Sequence, residues 1–242
     1  MGRNISQVLT IYAEPQPSDP TPLSPPSRGG EILSSYERLA KSQGLLPVKV
    51  TPFYKKKIDE EIATLGHTGG PLYRAMYPVE ERFTLRAPGE VRDWVDDRAH
   101  MPEGMNFLIQ KYPDRMLFLP TSQCAAHCLY CFRQDVLSEN KDRPEPGLDE
   151  KLEALLRHLR KHPQTREVIL SGGDPLMLSA GDLEKVFAAL RGVDTVTDIR
   201  VHSRAPVFAP AILSDSKLRL MAESRVRFVF HIIHPYEICE EV

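Results

Sequence analysis

Cys124, Cys128 and Cys131 stand in the run Cys124-Ala-Ala-His-Cys128-Leu-Tyr-Cys131-Phe-Arg133. Three thiolates spaced C-x3-C-x2-C can ligate three irons of a four-iron cluster and leave the fourth iron open to a small ligand. Zinc is the competing reading, because a structural zinc site takes four ligands, often as two separated pairs. His127 or Cys239 could supply the fourth ligand, and Cys239 could equally complete a cluster held by four cysteines. An inert trio of core cysteines fits least well, since the triplet lies in a loop after an apolar run. A second group follows: Ser171-Gly172-Gly173-Asp174, at the carboxyl end of the next apolar run. Ligands of parallel α/β folds bind at that edge. Two glycines would let a ligand approach the backbone closely, and Asp174 could meet a cation such as an ammonium group.

Both groups need strands to carry them. Met116-Leu-Phe-Leu119 is a short apolar run suited to a buried parallel strand, and it leads into the cysteine loop. Leu148 to His162 reads as a helix with Leu152, Leu155, Leu156 and Leu159 on one face. Glu167-Val-Ile-Leu170 is the second strand. Ser179 and Asp182 suggest a capping box for a helix carrying Leu183, Val186, Phe187 and Leu190, ended by Gly192. Asp198-Ile-Arg-Val201 is the third strand, a third helix runs from about Ala211 to Ser224, and Val226 to Ile233 is the fourth strand. This alternation predicts right-handed βαβ units in a parallel sheet. Four such units do not close a barrel, so the chain reads as part of a longer fold; an open, complete sheet is the alternative.

The upstream residues differ. Residues 13–30 are rich in proline and serine and read as a disordered tail, giving a 1–30 segment. Residues 31–110 read as a mostly helical accessory region broken by Pro47, Pro52, Pro71, Pro78 and Pro88, and 111–242 as the catalytic partial barrel. The formal net charge of −2 argues against binding to nucleic acid or to a membrane surface through bulk charge. No apolar run reaches the length of a membrane span and no secretory signal is visible, which points to the cytoplasm. Met1-Gly-Arg-Asn-Ile-Ser6 matches the short myristoylation pattern and is read as chance. Crowded cysteines in a reducing compartment read as metal ligands rather than disulfides.

In these motifs the chain resembles the radical SAM superfamily and, within it, the lysine 2,3-aminomutase family. The residues that carry the resemblance are Lys111-Tyr-Pro-Asp-Arg115, Cys124 to Arg133, Leu170-Ser-Gly-Gly-Asp-Pro-Leu176, Ile199-Arg-Val-His-Ser-Arg-Ala-Pro-Val207 and His231-Ile-Ile-His-Pro-Tyr-Glu237. Val50-Thr-Pro-Phe-Tyr54 and Gly70-Pro-Leu-Tyr-Arg74 extend it upstream, so that it covers about residues 45–242.

The resemblance implies an α/β fold, a partial radical SAM barrel with parallel strands behind a mostly helical N-terminal region. It implies an isomerase that uses a [4Fe-4S] cluster, S-adenosyl-L-methionine (SAM) and pyridoxal 5'-phosphate (PLP). Reductive cleavage of SAM would start a radical shift of an amino group from Cα to Cβ, with L-lysine to β-lysine the foremost case. Cys124, Cys128 and Cys131 would bind the cluster. Tyr130 would contact the adenine of SAM, and Gly172, Gly173 and Asp174 its methionine end. Arg133 would bind the substrate carboxylate, a task that suits a planar guanidinium. Arg115 and Lys111 would contact the PLP phosphate, although the family has arginine where Lys111 stands. Arg200, Ser203 and Arg204 would have a general role at the SAM site. An electron donor such as flavodoxin or ferredoxin and a homo-oligomer are also implied.

Ordinary roles compete at several positions. Arg115 could pair with Asp114 on the surface, and Arg204 could be a simple strand-exit arginine. His231 and His234 could be structural histidines. Trp94 reads as a packing anchor on an acidic helix, and Cys239 as a spare thiol. His202 departs from the glycine usual in the third-strand motif. The family's PLP-bearing lysine and the acids that bind the far amino group of lysine belong to a segment beyond Val242. Two other readings therefore stand beside the mutase: a radical SAM enzyme without PLP, and a non-catalytic fragment with zinc on the cysteine loop.

Overall fold

The computed structural model describes residues 27–242 apart from 86, 87, 90, 92 and 142–144. The expected disordered tail falls outside them except at its end, where Ser27 already begins a helix; the myristoylation pattern also lies outside. Helices α1 (Ser27–Gln43), α2 (Pro52–Leu65), α3 (Pro71–Met76) and α4 (Glu81–Thr84) come first. Strands β1 (Leu108–Tyr112) and β2 (Arg115–Thr121) follow, then α5 (Gln134–Lys141), α6 (Leu148–Lys161), β3 (Glu167–Gly172), α7 (Ala180–Arg191), β4 (Asp198–Ser203), α8 (Ala205–Phe208), α9 (Asp215–Glu223) and β5 (Arg227–Phe230).

The five strands form one sheet in the order β1-β2-β3-β4-β5. From β2 onward every pairing is parallel, as the strand and helix alternation predicts. This is the α/β architecture of a partial barrel behind a helical N-terminal region. One element departs from expectation. β1 is antiparallel to β2, joined to it through Pro113 and Asp114. Its run Leu-Ile-Gln-Lys-Tyr is too short and too polar at its end to stand out from the proline-broken region before it.

One face of the sheet is covered by helices. Met116, Phe118, Val168, Leu170 and Val201 pack against Leu155 and Leu159 of α6, Leu183, Val186, Phe187 and Leu190 of α7, and Met221 of α9. Each such side chain contributes roughly 1.5–3 kcal/mol on burial. An exposed ion pair such as Lys55–Asp59 contributes at most about 1 kcal/mol, so this apolar layer holds the sheet. A second core joins α2 and α3 to the cysteine loop and α8, through Tyr54, Ile58, Leu72, Ala75, Met76, Ala126, Val207 and Phe208. The N-terminal helices are thus packed against the loop that carries the cysteines.

Local chemistry sets the element ends. Pro52 and Pro71 do not break helices but begin them, at the position where a missing N–H costs nothing. The Thr51 side chain accepts from the Tyr54 amide, and Gly66 closes α2 in the left-handed region at φ 75°. Ser179 caps α7 as expected by accepting from the Asp182 amide. The expected third helix divides: residues 210–212 form a 3-10 turn, and α9 begins after the capping Ser214. The fourth strand stops at Phe230, short of Ile233.

Pro120 lies inside β2, between β1 and β3. It has no N–H for the ladder, and the β2–β3 register shifts between Phe118 and Thr121. The strand leaves the sheet there and enters the cysteine loop. The β3 tip meets it: Gly173 N donates to Thr121 O at 3.0 Å, and Asp174 N to Gln123 O at 2.7 Å. A Cβ on Gly173 would stand 2.3 Å from Gln123 O and 2.5 Å from Ser122 C. We expect Gly173→Ala to destabilise the fold by about 1–3 kcal/mol, because neither backbone atom can rotate away. Gly30→Ala, which meets nothing within 4 Å in α1, should be neutral or stabilising. Urea denaturation midpoints of the two variants check this.

Candidate functional site

The cysteine loop hangs from the N-terminal region. His127 N donates to Lys49 O at 2.9 Å, Lys49 Nζ to Cys124 O at 2.7 Å, and Leu129 N to Ala75 O at 2.9 Å. The His127 ring sits 2.8 Å from Pro47 O through Nδ1. The loop's last turn is internal, with Cys131 N on Cys128 O at 3.1 Å. Ala75 is aimed by α3, whose first amides are capped from outside. Glu61 of α2, 5% exposed, accepts from Leu72 N and Tyr73 N at 2.9 Å each. Gly70 has no side chain because Glu61 fills that space.

The two glycines allow a close approach of the chain to itself. A Cβ on Gly172, at φ 104°, would meet Leu119 Cγ at 2.7 Å, and one on Gly173 would meet the Ser122–Gln123 backbone. Both are glycines so that the chain can approach itself. Asp174 is buried and committed as well. Its carboxylate accepts from Ser203 Oγ at 2.7 and 2.9 Å, from Arg204 N and Ala205 N at 2.8 Å each, and from Leu176 N at 3.0 Å. It fastens the exit of β4 to the tip of β3. Burial pushes its carboxyl up, against the pull of these hydrogen bonds. Ser203 is spent on the same contact.

Arg204 is not a simple strand-exit arginine. It is 5% exposed and pairs with Glu237, which is fully buried. Glu237 also accepts from Tyr54 Oη and, at 2.8 Å, from Ile233 N. Arg204 Nη2 reaches Tyr54 Oη at 3.3 Å, and its guanidinium lies 5.6 Å from the Tyr130 ring. Helix α2, the exit of β4 and the turn at 235–237 thus meet beside Tyr130. Sequence inspection missed this group, since Tyr54, Arg204 and Glu237 are far apart in the chain and carry no local spacing signal. Tyr130 is 41% exposed; its ring packs edge-on against His231 at 5.8 Å. His234 caps the last turn, its Nδ1 accepting from Tyr236 N at 3.3 Å.

Across the sheet face turned away from α6, α7 and α9 lies a charged layer. Arg133 Nε donates to Asp97 Oδ2 at 2.9 Å, and Arg133 Nη1 to Ser171 Oγ at 3.3 Å. Lys111 Nζ pairs with Asp97 Oδ1 at 2.7 Å. Arg200 pairs with Glu167 at 2.6 Å, and Arg227 with Glu167 and Asp198. His202 lies within electrostatic reach of Arg133 and Arg200, and its buried Nε2 has no hydrogen-bond partner among the described residues. Arg115 lies opposite Glu167, at the end of this layer far from Arg133 and Ser171. It begins β2, about 20 Å along the strand from Thr121, and pairs with Asp114 at 3.0 Å. Trp94 is 67% exposed and in a turn, not on a helix; its ring meets Phe132 edge-on at 6.2 Å.

The cysteines are all free and partly buried. Burial first, and then Asp174 and the other thiols, push Cys124 up; burial raises Cys131 to about 11 against the pull of the Arg133 amide. Burial also raises Cys128, although Arg204 pulls the other way. Three thiols that resist ionising together are suited to a strongly cationic centre, which deprotonates its ligands outright. Among the described residues, no three His, Cys, Asp or Glu side chains converge as a single ion would require. A cluster takes each thiolate on a separate iron, so its ligands stand further apart. Cys124, Cys128 and Cys131 are the residues that would hold a cluster, one thiolate on each of three irons. Cys239 lies in the last turn, hydrogen-bonded to Glu241.

A sequence profile of the radical SAM superfamily matches residues 118–237, from β2 to the Glu237 turn. The chain belongs to the radical SAM superfamily. Membership implies a [4Fe-4S] cluster and SAM. Among curated proteins, it is 35% identical over 205 residues to an L-lysine 2,3-aminomutase of Haemophilus influenzae, covering 84% of this chain and 57% of that one. It is 31% identical over 178 residues to the L-lysine 2,3-aminomutase of Escherichia coli, 72% of this chain and 49% of the other. The Clostridium subterminale L-lysine 2,3-aminomutase is 29% identical over 206 residues, 85% and 47% of the two chains. The chain spans about half the length of the curated relatives it matches. No helix among the described residues is long and apolar enough to cross a membrane.

Two outcomes follow from the site's energetics. Glu237→Ala leaves Arg204 buried without its counter-charge and should cost about 3–5 kcal/mol, read as a lower denaturation midpoint. His158, His202 and His231 are all held below the ordinary value of 6.5, chiefly by burial. The unfolded chain therefore binds these protons before the folded one does, and their contribution to stability is lost as pH falls below about 6.5. Midpoints measured from about pH 7.5 down to about pH 5.5 should fall less steeply in His158→Gln than in the parent.

Proposed function

We propose that this chain carries the cluster and SAM site of an amino acid 2,3-aminomutase that acts on L-lysine. The observation that carries the proposal is the meeting of the cysteine loop with Arg133 at the carboxyl edge of a parallel sheet, in a radical SAM chain similar to proteins named L-lysine 2,3-aminomutase. In this reading Cys124, Cys128 and Cys131 hold three irons and leave the fourth to SAM. The cluster and SAM, when bound, supply a carbon radical after one-electron reduction by a flavodoxin- or ferredoxin-like donor. The chain's own residues do the rest. Tyr130 offers an exposed ring face to the adenine, backed by Arg204. Gly172 and Gly173 shape the floor of the site, and Asp174 and Ser203 brace it. Arg200 holds Glu167 and keeps the open face of the sheet charged but paired. Arg133 presents its free donors to the substrate carboxylate.

PLP dependence belongs to the proposal through the resemblance. Lys111 and Arg115 are its candidates for the phosphate, but one is paired with Asp97 and the other with Asp114. The donors for a phosphate are not assembled, so no step is derived through PLP. By its organisation the proposal takes 111–242 as the barrel part and 31–110 as its helical support. It places the enzyme in the cytoplasm, as a homo-oligomer.

The test is anaerobic reconstitution of a complete version of the protein with iron, sulfide, SAM, PLP and dithionite, followed by mass spectrometry for β-lysine from L-lysine. Cys124→Ala, Cys128→Ala and Cys131→Ala should each lose the reduced-cluster electron paramagnetic resonance signal, while Cys239→Ala should keep it. Addition of SAM should shift that signal in the parent. Zinc without iron or sulfide after anaerobic purification would overturn the cluster, and SAM cleavage without any β-amino acid would overturn the aminomutase.

A further inference from the structure

Arg133 is aimed by a carboxylate that no motif announces. Asp97 is 2% exposed and holds two cations at once, Arg133 through Oδ2 and Lys111 through Oδ1. The turn that delivers it is built with care. The Asp93 carboxylate accepts from Asp97 N and Arg98 N at 3.0 and 2.9 Å. Asp96 sits in the left-handed region at φ 57°, a conformation that side chains other than glycine seldom adopt. Arg98 ties the turn to Asp135 of α5 at 3.0 Å. All of this fixes one buried carboxylate against the Nε edge of one guanidinium.

We propose that Asp97 is a positioning residue for substrate recognition: it fixes which edge of Arg133 is presented and sets the charge of the pocket to accept one carboxylate. The inference rests on the reading that Arg133 takes the substrate carboxylate. An arginine can offer a carboxylate either its Nε–Nη edge or its Nη1–Nη2 edge. Asp97 takes the Nε hydrogen, which blocks two-pronged use of the first. Nη1 spends one hydrogen on Ser171, and Nη2 donates to no described residue. The Nη1–Nη2 edge is therefore the one left for a ligand. Lys111, Asp97 and Arg133 together carry one net positive charge, because Asp97 cancels one of the two cations. That matches a monoanionic carboxylate and falls short of a dianionic phosphate. The Phe132 ring, 4.5 Å from the guanidinium carbon, restricts the same group from its face.

Binding of L-lysine and L-lysinamide to the reconstituted, SAM-loaded protein, measured by calorimetry, tests this without relying on turnover. The two ligands differ at the group that meets Arg133. The parent should prefer L-lysine by tenfold or more. Asp97→Asn keeps an acceptor but loses the charge, and should reduce that preference severalfold. Asp97→Leu combined with Lys111→Met removes one charge of each sign, so the pocket keeps its net charge and its folding balance. It should bring the preference close to one while the SAM-induced shift of the cluster signal stays intact. Arg133→Met should abolish the preference. If the parent shows no preference, or Arg133→Met retains it, the underlying reading of Arg133 fails. If Arg133→Met loses the preference but the Asp97→Leu, Lys111→Met double variant keeps it, Arg133 needs no positioning by Asp97 and the inference alone fails.

Discussion

The hydrogen bond from Asp174 N to Gln123 O is the contact on which the rest of this site depends. It brings the loop after β2 against the tip of β3 so closely that no side chain fits between them at position 173. From it a line of contacts runs outward. Asp174 is held there, and its carboxylate gathers Ser203, Arg204 and Ala205 at the exit of β4. Arg204, placed in turn, draws in Glu237 and Tyr54. Three strand exits and the N-terminal helices are thereby registered to one another through polar groups that are nearly all paired. Such a network tolerates little displacement, because each unpaired buried member would cost its own desolvation.

Much of this was legible in the chain, and what was not has a physical cause. The apolar runs at Met116, Glu167 and Asp198 became β2, β3 and β4, since strands buried in a parallel sheet are continuous and hydrophobic. The α6 face could be read from Leu152, Leu155 and Leu159 for the equivalent reason. β1 was hidden because three of its five residues are Gln110, Lys111 and Tyr112, whose place is decided by the partner strand. Pro52 and Pro71 looked like breaks because a proline signals a boundary without saying on which side the helix lies. At the site, the cysteines and Gly172-Gly173 announced themselves by spacing. Asp97 and Glu237 did not. A buried carboxylate is recognised by what surrounds it, and its surroundings come from residues tens of positions away.

The residues singled out in the chain divide by whether their polar atoms are already spent. Asp174 accepts from three amides and a hydroxyl, Ser203 gives that hydroxyl, and Arg200 lies on Glu167. A group in that condition serves a ligand by keeping the frame in place. Cys124, Cys128 and Cys131 are free, partly buried thiols, with Cys128 hydrogen-bonded to Tyr130 and Cys131 to the Arg133 backbone. Arg133 is intermediate, with one edge taken by Asp97 and one edge open. Buried polar groups are almost always paired, and an unpaired one asks for an explanation. Among the described residues such buried atoms include Arg200 Nε, His202 Nε2 and Arg204 Nε on or beside β4, and also Thr195 Oγ1 and Ser224 Oγ away from the site. The frame is complete without a ligand, and the donors and thiols it presents are not.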